Sequence, residues 1–226
     1  MDIPDMDRFR KVFLKYTKKA FNQLPKITAP KILDVGCGTG VPTIELAKLS
    51  KGEIIGLDID HEALKKFKRK IRKLGLENRV KALTTSFFNN PFFKESIDII
   101  WAEGVFYHIG YDTAFKESYR LLKPHGFLVM VDTLESIEKE FLKTKSESDP
   151  FLKLGFTLYK RINWSEKAWW NEYYQPLEDT LKNLRASNID PENYKHLSQH
   201  ENEIAMIKEN PKKFDCAHFI LQKLNK

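Results

Sequence analysis

The sequence predicts an α/β fold, a mostly parallel sheet with helices on both faces. Two patterns carry that expectation. Lys31 to Ala47 reads as a short apolar strand, Ile32 to Val35, then three glycines on alternate positions, then a helix opening near Pro42. Downstream, strand-length apolar runs and helix-length amphipathic runs alternate as far as Asp132, as in chains that lay down parallel strands through helical crossovers. A strand, a glycine turn and a helix bring backbone close to a nucleotide-like ligand. The spacing narrows the ligand. A dinucleotide fingerprint needs Gly-x-Gly-x-x-Gly, yet position 41 is Val41 and the third glycine is Gly40, one residue early.

With 226 residues the chain can bury one full core and a small subdomain. Its 42% hydrophobic and 31% charged residues suit a globular protein. No run approaches the roughly 18 apolar residues of a spanning helix, so membrane insertion is not expected. The acidic start, Met1 to Asp7, resembles neither a signal nor a transit peptide. Cys37 and Cys216 are far apart and lack metal-ligand spacing, which suggests a reducing, cytoplasmic setting. The net charge of +7 permits nucleic acid or an anionic surface as partner without requiring either.

Residues 7–24 place Phe9, Val12, Phe13, Tyr16, Ala20 and Phe21 on one helical stripe with basic residues elsewhere. Pro42 suits the first turn of the helix after the glycines. The second strand, Glu53 to Asp58, ends in an acid 22 residues after Gly36, placed to accept hydrogen bonds from ribose hydroxyls. Asp60 is the better helix cap. The helix from His61 to Leu74 turns Leu64, Phe67 and Ile71 inward. Seven of the nine residues from Lys65 to Lys73 are Lys or Arg, with no aromatic side chains interleaved on the basic face for base stacking, so the face reads as solvated. Gly75 stops that helix before a third strand, Val80 to Thr85. A fourth strand, Ile97 to Glu103, leads to Tyr107 and His108. Asp112 is read as the cap of a helix from Thr113 to Leu122, and a fifth strand covers Phe127 to Asp132. A charged helical stretch, Glu135 to Lys145, precedes a sixth strand, Phe156 to Ile162. Asn163 to Glu166 has capping-box chemistry, Trp169, Trp170, Tyr173 and Tyr174 follow, and Pro176 kinks or restarts their helix. Asp190-Pro191 opens another helix. His196, His200 and Glu203 are near one another in sequence, but a zinc site would need further convincing ligands, so no metal is predicted.

Asp34-x-Gly36-x-Gly38-x-Gly40 resembles the first motif of class I S-adenosylmethionine-dependent methyltransferases. Glu103-Gly104-x-x-Tyr107-x-Ile109-Gly110 is similar to a type-11 branch whose substrates are mostly small molecules, and unlike the Asn/Asp-Pro-Pro-Tyr/Phe string tied to base, Gln or adenine-amino methylation. The resemblance covers about residues 26–162 and 214–223. It implies a Rossmann-like, seven-stranded sheet whose last strand, Cys216 to Gln222, runs antiparallel beside the fifth. It also implies an N-terminal helical cap (1–25), a core (26–162 and 212–226) and a helical insertion (163–211) that is lid, core or dimer contact.

The implied cofactor is S-adenosyl-L-methionine. Gly36, Cys37, Gly38 and Gly40 would pass backbone along it. Asp34 would bond loop amides or its ammonium, Asp58 its ribose, and Glu103 its methionine end. Ile59 would pack on adenine, with Ser86 and Phe87 beside the base. Ser86 stands where the family usually carries an Asp, and His125 where it usually has glycine. His108, and after it Tyr107, are the candidates to accept a proton from an O or N nucleophile. The reading is methyl transfer to a small molecule by a monomer or homodimer. An RNA or protein methyltransferase using the basic surface, and a non-catalytic cofactor-binding module, are the alternatives.

Overall fold

A computed structural model describes residues 7–141, 151–165, 168–186 and 191–225. Seven strands form one sheet in the order β3-β2-β1-β4-β5-β7-β6. They are β1 (Ile32–Val35), β2 (Ile54–Asp58), β3 (Val80–Thr84), β4 (Ile97–Glu103), β5 (Leu122–Thr133), β6 (Phe156–Asn163) and β7 (Cys216–Lys223). Only β7 runs against the rest. It pairs antiparallel with β5 on one side and β6 on the other, as the resemblance implied. All four β1 residues are buried, because helices cover both faces of a parallel sheet and leave its central strands no wet side.

The helices are α1 (Asp7–Arg10) and α2 (Leu14–Phe21), joined by a 3-10 turn, then α3 (Val41–Leu49), α4 (His61–Lys73), α5 (Phe106–Ile109), α6 (Tyr111–Leu121), α7 (Leu134–Phe141), α8 (Gln175–Ala186) and α9 (Pro191–Glu209). Asp60 caps α4 by accepting from the amides of Glu62 and Ala63. Gly75 closes α4 with φ +63°, and the Leu76 amide donates back to the Ile71 carbonyl. No helix among the described residues is long and apolar enough to cross a membrane.

Several local expectations change. Helix α6 starts at Tyr111, after Gly110 at φ +87°, so Asp112 lies inside the first turn and caps nothing. Strand β5 begins at Leu122, which pairs with Ile97. The Lys123–Gly126 segment therefore bulges within the strand, with His125 left-handed at φ +62°. Asn163 ends β6 rather than opening a helix; Glu166, the other half of the expected capping box, lies outside the described residues, as do residues 142–145 and Asp190. Ala168–Tyr174 winds as a π-helix and Gln175 opens the α-helix that follows, with Pro176 in its first turn, so the proline restarts the helix.

The core has three parts. Leu33, Ile100, Phe106, Phe115 and Leu128 pack on one face of the sheet, and Ile32, Trp101, Phe67, Leu46 and Ile220 on the other. A third, aromatic cluster sits apart, built from Phe9, Phe13 and Tyr16 of the N-terminal helices with Trp164, Tyr173 and Tyr174.

Candidate active site

The chain leaves β1 toward β2 and β3, then returns to β4 on the opposite side of β1. That reversal opens a crevice at the carboxyl ends of β1 and β4. A cleft of about 930 Å³, mouth included, lies there.

Its floor is acidic. Asp34 in β1 is 2% exposed, and Thr43 of α3 donates to its Oδ2 at 2.5 Å. Burial pushes the Asp34 carboxyl up to about 8; the Thr43 bond opposes this, and the charges of Glu103 and Asp58 add to it. The expected bonds from loop amides go elsewhere. Gly38 N donates at 2.6 Å to Asp58 Oδ2, and Asp60 N at 2.9 Å to Asp58 Oδ1. The tip of β2 abuts the glycine turn, with Cys37 N on the Leu57 carbonyl at 2.9 Å, whereas Asp34 is turned under the first turn of α3.

Glu103 closes β4. Burial raises its carboxyl, but the facing imidazole of His218, the Trp101 indole and the Thr17 hydroxyl together hold it below the usual carboxylate range. Thr17 Oγ1 and Trp101 Nε1 both donate to Oε1, at 2.9 and 2.8 Å. His218 Nε2 is 3.5 Å from the same oxygen.

The three glycines take φ of +66°, +52° and +78°. A Cβ added to Gly40 would meet the Phe67 ring at 2.1 Å, so the turn lies tight on α4. A Cβ on Gly38 would meet nothing within 4 Å. Backbone there borders open space that a ligand can fill.

Asp34, Gly36, Cys37, Glu103 and Tyr107 line the cleft. Gly38, Gly40, Asp58, Ile59, Ser86, Phe87 and His108 are not on its walls. Asp58, Ile59 and Ser86 follow one another along the tips of β2 and β3, joined by Thr85 N on the Asp58 carbonyl at 3.0 Å. Ile59 is 74% exposed there. Ser86 spends its hydroxyl accepting from Phe88 N at 3.1 Å, and the Phe87 ring belongs to the core. Burial raises the Tyr107 phenol above its ordinary range. The His108 ring lies 3.9 Å from that of Tyr107, beside the cleft. Burial also raises the Cys37 thiol, which leaves it protonated and unreactive.

The sequence reading missed Thr17, Trp164 and His218. Thr17 was a lone hydroxyl in an amphipathic helix. His218 left a signal, as the one residue able to carry a positive charge within the apolar run Cys216–Leu221. Trp164 reads only as part of the expected capping box until Phe13 is found against it, ring centroids 4.7 Å apart. Arg10, Phe13 and Leu14 from the N-terminal helices line the cleft, as do Trp169, Tyr173 and Tyr174 from the insertion. The aromatic segment packs in the third core cluster and also lines the cleft. Among the described residues no group of His, Cys, Asp and Glu could hold a metal ion; the His196 side chain lies outside them.

A carboxyl raised by burial, a second carboxylate with two donors on one oxygen, and an open glycine backbone fit a ligand with a cationic amino-acid end and a sugar. The fold and site are those of the class I S-adenosyl-L-methionine-dependent methyltransferase family. Residues 28–180 match the family model of a methyltransferase domain, and the chain belongs to that family. Over 193 residues, 81% of this chain, it is 29% identical to a demethylmenaquinone methyltransferase of Lactobacillus johnsonii, covering 65% of that enzyme. It covers 43% of a second curated relative, the Streptomyces halstedii methyltransferase GfsG. The fold matches that of a methyltransferase from Thiobacillus denitrificans in complex with S-adenosyl-L-homocysteine, at TM-score 0.70 and 18% identity, with both chains fully covered. It also matches the [4+2]-cyclase SpnF at TM-score 0.75 and 17% identity, covering 94% of this chain and 81% of that one.

Proposed function

We propose that the protein transfers a methyl group from S-adenosyl-L-methionine to an oxygen, nitrogen or carbon nucleophile of a small molecule. The observation that carries this reading is the acidic floor under an aromatic roof. Asp34 and Glu103 lie at the bottom of a cleft walled by Phe13, Trp169 and Tyr173. That floor suits a cationic ligand, and the roof would exclude water from it. None of the basic residues of α4 lines the cleft, so the reading does not extend to a nucleic-acid substrate.

When bound, the cofactor supplies a methyl group already activated by its sulfonium charge. The residues of this chain then have to hold donor and acceptor in line and keep water out. Gly38 would let backbone approach the cofactor's sugar, and Asp58 would accept from its ribose hydroxyls while pinning the glycine turn. Ile59 would cover the adenine face, and Ser86 with the Phe87 amide would border its edge. Asp34 and Glu103 would take the cationic end. Tyr107, still a phenol, would hydrogen-bond the acceptor. His108 behind it would receive a proton where the nucleophile has one to lose.

The activity is not fixed by fold, since one chain of similar fold is a cyclase. The test therefore has two arms. Thermal unfolding is followed with S-adenosylmethionine, S-adenosylhomocysteine and NAD, and transfer of labelled methyl is followed across a metabolite panel. A sulfur ligand at 100 times its dissociation constant should stabilise by about 2.7 kcal/mol. Asp58→Ala should remove most of that shift. A shift with NAD and none with the sulfur ligands would refute the cofactor reading. Binding with no transfer to any acceptor would refute the enzymatic one.

A further inference from the structure

Beneath the cleft lies a row of side chains that spans three strands. Glu103 of β4 is in register with Val131 of β5, and Val131 with His218 of β7. Residues paired across adjacent strands project to the same face. Glu103 and His218 therefore reach toward each other over Val131, two strands apart.

His218 is wholly buried. The Trp164 indole N–H donates to its Nδ1 at 3.0 Å. With Nδ1 accepting, the ring hydrogen sits on Nε2, which faces Glu103 Oε1 at 3.5 Å. Among the described residues, Nε2 is the one buried side-chain N or O atom without a hydrogen-bond partner. Glu103 has a matching asymmetry. Thr17, Trp101 and His218 all converge on Oε1, and no donor among the described residues reaches Oε2. One carboxylate oxygen takes two hydrogen bonds and faces the imidazole. The other is left for the cleft that Glu103 lines.

We propose that His218 is a positioning residue for the cofactor, holding Glu103 by Oε1 so that Oε2 receives the ammonium of the cofactor's amino-acid end. Trp164 sets the tautomer on which this depends. The inference rests on the S-adenosyl-L-methionine reading and adds to it two residues, on β7 and at the end of β6, that serve it without touching the cofactor's sugar or base. A buried polar atom kept without a full partner opposite a ligand-facing carboxylate is costly unless it has such a role.

The test separates the amino-acid end of the ligand from the rest. Dissociation constants of S-adenosylhomocysteine and of 5′-methylthioadenosine, which lacks the amino-acid portion, are measured by calorimetry for the wild type, His218→Phe and His218→Gln. Loss of the imidazole that faces Glu103 Oε1 predicts that His218→Phe weakens S-adenosylhomocysteine by about tenfold. Methylthioadenosine should bind as before. His218→Gln, whose amide can accept from Trp164 and donate to Glu103, should restore most of the loss. Adding His218→Phe to Glu103→Gln should cost nothing further, because the two act on one contact. Equal weakening of both ligands, or additive losses in the double variant, would mean that His218 only supports the core and would overturn the inference. If His218→Phe does not fold, Trp164→Phe, which keeps the ring and deletes the donor, should show the same selective loss, and unselective loss there overturns the inference equally. A wild type that binds neither ligand is a different result, and it removes the cofactor reading and this inference together.

Discussion

At the scale of single residues the site is governed by where charge is left uncompensated. Asp34 sits 2% exposed with Thr43 as its hydrogen-bond donor, and its carboxyl is pushed up to about 8 by burial. A carboxyl whose folded-state pKa lies above its unfolded value of 3.8 binds its proton more tightly in the folded chain. Its contribution to stability is full below pH 3.8 and is lost as pH rises toward 8. Asp34→Asn cannot lose that proton. The unliganded variant should gain on the wild type as pH rises from 5 to about 9, by about 1.4 kcal/mol per unit at most. Urea midpoints of the two proteins at several pH values check this, and parallel curves would rule out a protonated Asp34. The same variant should bind S-adenosylhomocysteine more weakly, since the proposed cation would lose a charged partner. Asp34 and Asp58 were both legible in the sequence as acids beside the glycine turn. Which of them pins the turn was not, because that depends on the tip of β2 meeting the Gly38 amide.

At the scale of elements, the strand–turn–helix unit has two glycines with different duties. Gly40 precedes α3 at φ +78°, and an added Cβ would lie 2.1 Å from the Phe67 ring. Gly38 has φ +52° and open space around it. Gly40→Ala should therefore destabilise by more than the roughly 1–2 kcal/mol of a left-handed alanine, because α4 must also shift. Gly38→Ala should cost about that backbone amount alone, yet weaken the cofactor, whose proposed path the methyl group enters. Unfolding midpoints together with S-adenosylhomocysteine titrations separate the two, and equal stability losses would contradict the assignment. Alternation and periodicity made these elements legible, with α3, α4, β2 and β3 all within a residue or two of expectation. The start of β5 escaped because Lys123–Gly126 has the composition of a turn while flanking pairs hold it in the sheet. The start of α6 escaped because Gly110 occupies the N-cap with no capping side chain to mark it.

At the scale of the molecule, the sheet has a core on each face, and the third, aromatic cluster closes its carboxyl edge. The N-terminal helices and the insertion meet only through folding, more than a hundred residues apart in sequence. Neither stripe alone shows what it packs on, which is why the sequence left core and lid open as alternatives. Phe13 lies 4.5 to 5.4 Å, centroid to centroid, from Trp164, Trp169 and Tyr173. Tyr16 stacks on Trp164 at 4.6 Å and accepts from Ser165 N. Lys15 pairs with Glu172, and Arg8 donates to Thr180. On the other side, Lys70 and Thr39 both donate to Asp7, tying the first helix to the glycine turn. Such a roof should open as a unit while the sheet beneath stays folded. Phe13→Ala removes the ring at its centre, a change that costs about 3–5 kcal/mol in a packed core. Amide exchange should then quicken in residues 7–21 and 168–186 together, with β1, β4 and β5 keeping their protection. Bound S-adenosylhomocysteine should restore much of the protection, because the ligand would fill the cleft that both segments line. Exchange that quickens in residues 7–21 alone would show that the insertion stands without the cap. Equal loss across the sheet would show that the roof is no separate unit, and the water-excluding role proposed for it would then fall to the whole fold.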